Sequence, residues 1–202
     1  MSGNYWDRWH RARANRRTFL TGAGAAGLGA TGLVLTGCGG DDEPKVQDTP
    51  SQSPSPTLTS TPTPKTPEEK AADQLTKFLD VRDLAYRKRD INFKTLNPVA
   101  TGDEFLQLQH VVASMMNENV TVTGQYGHTL AEPRNRGASI LIIDCEDRSN
   151  VTWKNDGAVR QPDFTNPNGD PLRNPAPVEY TLVKDKGAWK VSDSDLLWDE
   201  PC

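Results

Sequence analysis

Residues 39–66 cannot fold by themselves, and this limits what the rest of the chain can be. Six Pro, four Ser and six Thr fall among these 28 positions, with almost no large apolar side chain. Such a stretch cannot bury enough surface to offset the entropy of ordering it. Its prolines favour an extended polyproline conformation of about 3.1 Å per residue, so its full reach is on the order of 85 Å. A plain solvated tether and an O-glycosylated stalk are the two readings of this composition. It divides the chain into residues 1–37, Cys38 with the linker to residue 66, and a folded segment 67–202 of one-domain size.

The first segment has the three parts of a secretion signal. Its charged start carries Arg8, Arg11, Arg13, Arg16 and Arg17 against Asp7 alone. A mildly apolar core from Phe19 to Leu35 follows, interrupted by Gly22, Gly24, Gly27, Gly29 and Gly32. A spanning helix wants about 20 strongly apolar residues, and glycine is a poor interior helix residue. Arg16-Arg17-Thr18-Phe19-Leu20 resembles the twin-arginine export signal, with Asn15 in place of the hydroxyl residue and Thr21 in place of the lysine. Leu35-Thr36-Gly37-Cys38 resembles a bacterial lipoprotein box, which implies cleavage before Cys38 and lipidation of its thiol. The other reading is an N-terminal membrane helix with an incidental cysteine. The resemblance implies the extracytoplasmic face of the cell membrane as the address. Two acyl chains suffice for stable anchoring.

Processing at Cys38 leaves 165 residues with 18 basic and 26 acidic side chains, a net charge of −8. That balance argues against nucleic acid as a partner, because affinity for phosphate backbones comes from Lys and Arg displacing counterions. The one basic run, Arg87-Lys88-Arg89, reads as a helix C-terminus complementing its dipole. With Cys38 lipidated, Cys145 and Cys202 remain. Two thiols in an oxidising compartment point to one disulfide, the alternative being two unpaired thiols. No metal site is expected, since His110 and His128 stand at no ligand-like spacing. No cofactor motif appears either.

Within 67–202, Thr66-Pro67-Glu68-Glu69 is a capping box opening a helix to about Arg89, with Ala71, Leu75, Phe78, Leu79, Ala85 and Tyr86 on its apolar stripe and charged residues on the other face. A short helical turn around Ile91, Phe93 and Leu96 precedes the break at Asn97-Pro98. A second capping box at Thr101-Gly102-Asp103-Glu104 starts a helix to about Asn117. The period then changes. Val120, Val122 and Tyr126 alternate with polar residues as in one half-buried strand. Ile140–Cys145 reads as a central strand and Val151–Trp153 as a short one turned at Asn155-Asp156-Gly157. The Pro-rich stretch to Pro177 reads as loop, and Val178–Val183 with Ala188–Val191 as a hairpin. Helices followed by an antiparallel meander define an α+β domain with N-terminal helices packed on a curved sheet.

This layout, with the Ile-Asp-Cys-Glu-Asp strand and the closing Trp-Lys-Val-Ser-Asp and Glu-Pro-Cys, resembles the nuclear transport factor two-like (SnoaL-like) cone of actinobacterial lipoproteins. A cystatin-like domain is the nearest structural rival. The resemblance implies a pocket between sheet and helices, and Tyr126, Asp144, Tyr180 and Trp189 are its candidate lining. Some relatives are isomerases or dehydratases that pair a carboxylate or His base with a Tyr or Asp donor. Asp144, His128, Asp193 and Asp195 are the further candidates. Each also has a plain reading: Asp144 as a strand-end carboxylate paired with Lys or Arg, His128 as a surface residue, Asp193 and Asp195 as a solvated turn, and the tryptophans as core. The expectation is a non-enzymatic envelope module that engages a cell-envelope protein or holds a small apolar ligand. The alternative is a small-molecule isomerase or dehydratase. An accessory role toward peptidoglycan or its synthases is the third reading.

Overall fold

The computed structural model describes residues 64–159, 171–198 and 200–202. Arg16, Arg17, Phe19, Leu20, Cys38 and the linker up to residue 63 lie outside the described residues, as does 162–170 of the Pro-rich stretch. Three helices lead: α1 (Pro67–Lys88), α2 (Phe93–Leu96) and α3 (Gly102–Asn117). Eight strands follow: β1 (Val120–Gly124), β2 (Gly127–Leu130), β3 (Arg134–Asn135), β4 (Ser139–Asp147), β5 (Val151–Asn155), β6 (Ala158–Val159), β7 (Ala176–Asp185) and β8 (Ala188–Leu196). The described domain is therefore α+β, with antiparallel sheets.

α1 begins as its sequence dictates. The Thr66 side chain accepts from the Glu69 N–H at 3.1 Å, and the Glu69 carboxylate accepts from the Thr66 N–H at 2.7 Å. Pro67 costs nothing there, because the first helical N–H groups have no partner within the helix. The helix ends at Arg89, in the left-handed conformation with φ 52°. The capping box expected at Thr101 does not form. Thr101 makes no side-chain cap, and Glu104 turns inward to accept from the Ser194 hydroxyl at 2.6 Å. Tertiary pairing has taken the group that local capping would have used.

The strands form two sheets, β1-β5-β6 and β2-β4-β7-β8, with β3 also paired to β4. The strand expected over Val120–Tyr126 ends at Gly124, and the next strand, β2 from Gly127, belongs to the other sheet. Gly124 is the breakpoint: its φ is +90°, and a Cβ there would collide with the Asn150 carbonyl oxygen. Only glycine tolerates both. The β7–β8 hairpin is longer than expected at both ends. Ala176 and Pro177 already pair with Glu146 and Cys145, and Asp193 and Asp195 pair with Thr181 and Glu179, so these two acids lie within a strand and not on a turn.

The main core joins Leu75, Phe78 and Leu79 of α1 and Leu108 and Val112 of α3 to Ile140, Ile142, Tyr180, Leu182 and Val191 of the larger sheet. A second cluster of Val111, Met115, Val122, Tyr126, Val151 and Trp153 packs around the smaller sheet, and Tyr86 touches both. Strand alternation puts Ile140, Ile142 and Asp144 on the core face of β4. Cys145 therefore faces the opposite side, where it is joined to Cys202 with a Cα–Cα distance of 5.6 Å.

The bridge spans 57 positions. In the chain-entropy account a closed loop of that length stabilises the fold by about 4 kcal/mol. Urea unfolding of Cys202→Ser should show a loss of roughly 2–4 kcal/mol relative to the oxidised chain, and reductant should lower the midpoint of the parent only.

Candidate functional site

Arg82 and Asp83 occupy consecutive positions on the inward side of α1 and are 6% and 5% exposed. Charged residues this buried need partners. The Arg82 guanidinium has three. Its Nε and Nη2 donate to Asp83 Oδ1 at 3.0 and 2.9 Å, Nη2 reaches Glu146 Oε2 at 2.7 Å, and Nη1 donates to the Tyr180 hydroxyl oxygen at 2.7 Å. Its carbon lies 5.7 Å from the Tyr86 ring centre and 5.3 Å from that of Tyr126. Burial disfavours its charge, but Tyr180, Glu146 and Asp83 outweigh this and hold it firmly protonated.

Asp83 extends the network to β2. Its Oδ2 lies 3.1 Å from His128 Nε2, while His128 Nδ1 lies 2.6 Å from Asp144 Oδ2. The other Asp144 oxygen accepts the Thr129 N–H at 3.0 Å. Asp144 is fully buried, and its partner is an imidazole and a backbone amide, not the Lys or Arg expected of a strand-end carboxylate. Neither is His128 a surface residue: its side chain is 20% exposed and stacks on Tyr126 at 6.3 Å between ring centres. Burial alone would lower the His128 pKa, but the hydrogen bonds to Asp144 and Asp83 reverse the effect and raise it to about 9. Both ring nitrogens then carry protons and donate. Burial also pushes Asp83 upward, and Arg82 and His128 outweigh it, leaving this carboxyl below its usual range.

In front of this network lies a cavity of about 90 Å³. Arg82, Glu146, Tyr180, Tyr126 and Tyr86 form one part of its wall, Glu104 and Ser194 another, and Trp153, Val178 and Leu196 supply apolar surface. Half-buried Gln107, Arg148 and Leu172 complete the lining. Arg148 is braced by donating from Nη2 to the Arg173 carbonyl at 2.7 Å, and its N–H donates to the Asn174 side chain at 2.8 Å. Burial raises the hydroxyl pKa of Tyr86, Tyr126 and Tyr180, so all three are neutral donors at ordinary pH.

Of the four residues proposed from sequence to line a pocket, Tyr126 and Tyr180 do so. Asp144 does not line the cavity; it is bound to His128. Trp189 lies elsewhere, against the main core with Lys184 Nζ 5.3 Å from its ring centre. Asp193 and Asp195 are half-buried on β8 and do not line the cavity. Sequence reasoning missed Arg82, Asp83, Glu104 and Glu146. A signal existed: Arg82 continues the Leu75, Phe78, Leu79 stripe at helical spacing, so not all of the charge on α1 falls on its outer face. Likewise Glu146 has the parity of Ile142 and Asp144 on β4.

One atom from each of His128, Asp144 and Glu146 could meet at a metal, all lying within 4.8 Å of one another. These groups are occupied with each other and with Arg82, and an added cation would have to displace that guanidinium. The donor set therefore fits a closed charge network better than a metal centre.

No protein-family model and no curated protein matches the chain. Among solved structures, it is similar to the intermembrane space region of the chloroplast protein ARC6, at 16% identity and TM-score 0.39 over 67% of this chain and 100% of that one. It is also similar to the transfer protein TraH from the Gram-positive conjugative plasmid pIP501, at 10% identity and TM-score 0.41, covering 66% and 96% of the two chains. A variant of a protein called Rd1NTF2 matches at 14% identity and TM-score 0.31, over 62% and 97%. Likeness this distant decides nothing about family, activity or partner.

The His128 pKa fixes the direction of a pH effect. A base whose pKa rises from 6.5 to about 9 on folding gives stability that is complete below pH 6.5 and lost as pH rises through 9. The shift corresponds to something on the order of 3 kcal/mol. Unfolding free energies should therefore fall by that order between pH 6.5 and 9.5 in the parent, and His128→Gln should flatten the profile over this window.

Proposed function

We propose that the chain is an extracytoplasmic lipoprotein, held to the cell membrane through lipid on Cys38, whose folded domain is a non-enzymatic ligand-holding or interaction module of the cell envelope. The address rests on Arg16-Arg17, the weakly apolar stretch behind them and the Leu35–Cys38 box. The cone-like, nuclear transport factor two-like reading rests on the order of elements and on the shared core between α1, α3 and the β4–β7–β8 face. Among the described residues no helix is long and apolar enough to cross a membrane.

One observation carries the non-enzymatic reading. Both nitrogens of His128 are engaged by carboxylates, so the imidazole nearest the cavity has no nitrogen left to accept a substrate proton. Asp144 is engaged in turn by His128 and Thr129. The candidate bases thus hold the helix to the sheet. A cavity of about 90 Å³ is also small beside the roughly 300–1,000 Å³ of usual small-molecule sites. It is not filled by Phe, Leu and Trp, which suits the holding of a small group.

Nitrogen NMR of the His128 ring tests this. Both nitrogens should be protonated at pH 7.5; a neutral ring with one free nitrogen would reopen the isomerase or dehydratase reading. The address has its own test. Replacing Arg16-Arg17 with Lys-Lys should leave precursor in the cytoplasm, and Cys38→Ser should abolish metabolic labelling by fatty acid. Unchanged export in the first variant, or unchanged labelling in the second, would remove that part of the proposal.

A further inference from the structure

Two buried donors at the cavity wall have protons to spare. Arg82 has five N–H bonds. Three donate hydrogen bonds, Nε and one Nη2–H to Asp83 and one Nη1–H to Tyr180, and Nη2 also forms an ion pair with Glu146. The second Nη1–H has no protein acceptor among the described residues. The Tyr180 hydroxyl accepts that Nη1–H, and its own proton likewise has no protein acceptor there. Both residues line the cavity, and they are 6% and 1% exposed. A buried donor without an acceptor costs about 1–3 kcal/mol, so a group placed in the cavity gains most by presenting an acceptor to both.

Charge and size narrow the group further. The lining sets two arginines, Arg82 and Arg148, against two glutamates, Glu104 and Glu146. A carboxylate would meet Glu104 and Glu146, and an ammonium would meet the two arginines. A neutral acceptor avoids both penalties. The volume of about 90 Å³ is several times what one water needs, roughly 10–15 Å³ on that measure, and suits a small group. Trp153, Val178 and Leu196 give apolar surface for a methyl group.

We propose that this cavity receives a neutral acetamido group, its carbonyl oxygen accepting from Arg82 Nη1 and the Tyr180 hydroxyl and its methyl packing on the apolar wall. This rests on the reading of the domain as a ligand-holding module and names the ligand class. Such a group occurs on N-acetylated amino sugars and on N-acetylated peptides. Four or so atoms set a low ceiling on affinity, so a dissociation constant in the millimolar range is expected, about −4 kcal/mol at 1 mM.

The test is a titration of the full chain followed by two-dimensional NMR at the Arg82 Nε–H and the Trp153 indole N–H. Probes are acetamide, acetate, methylammonium, N-acetylglucosamine, glucosamine and N-acetylalanine methylamide. Acetamide and at least one acetamido compound should shift both resonances saturably, with acetate, methylammonium and glucosamine at least tenfold weaker. A response to N-acetylglucosamine alone assigns the sugar source, and one to the peptide analogue alone assigns the peptide source. Tyr180→Phe should weaken binding about tenfold. Leu196→Trp, which fills the cavity from its rim, should abolish it and serves if the first variant does not fold. No saturable shift with any acetamido compound, equal binding of acetate, or unchanged binding in Leu196→Trp would each overturn the assignment. Chemical conversion of a bound probe would instead sink the non-enzymatic reading and leave the cavity assignment standing.

Discussion

The Arg82 guanidinium is the piece on which this domain's interior depends. It joins α1 to β4 through Glu146 and to β7 through Tyr180, and its neighbour Asp83 reaches β2 through His128. Without the guanidinium, Asp83 and Glu146 would lose the cation they share. Breaking a buried ion pair by removing one partner typically costs about 3–5 kcal/mol, whereas exchanging a whole network for apolar residues is often neutral. The network therefore contributes less to net stability than to uniqueness. A polar interior whose donors and acceptors match in one arrangement excludes sliding of α1 along the sheet, which an all-apolar interface would tolerate.

The same arrangement limits chemistry. Histidine and carboxylates near a cavity invite an acid–base reading, but here they are arranged in a chain, each satisfied by the next. His128 sits between two carboxylates and is held as a cation. A general base must have an unprotonated lone pair within reach of the proton it takes, and the ring does not meet that requirement. What remains open at the cavity are donors, Arg82 and Tyr180, which suit holding an oxygen more than removing a proton.

Much of the architecture was legible from local rules. The capping box at Thr66, the α1 stripe and the β7–β8 hairpin are decided by neighbours in sequence, and the structure places them where local pattern does. The differences arise where a distant residue outweighs a near one. Glu104 leaves its helix cap for Ser194, and the strand expected to reach Tyr126 stops at Gly124, where the Asn150 carbonyl occupies the space a side chain would need. Pro177 lies in β7, opposite the disulfide-bonded Cys145 of β4. For the site, the two tyrosines were visible as candidates. Its organising charge pair was hidden on a helix stripe that sequence reading assigned wholly to apolar residues. Asp144 was read by its commonest partner, Lys or Arg, while its actual partner stands on β2, paired with β4 across the sheet.

The disulfide has one more consequence. By joining Cys145 to Cys202 it closes residues 145–202 into a covalent ring that contains all of β5 to β8. A protease that cuts the backbone once inside this ring, including anywhere in 160–170, opens the ring without dividing the molecule. After a single cut both new ends stay covalently attached to the fold. Only a second cut, or a reductant, would release a piece.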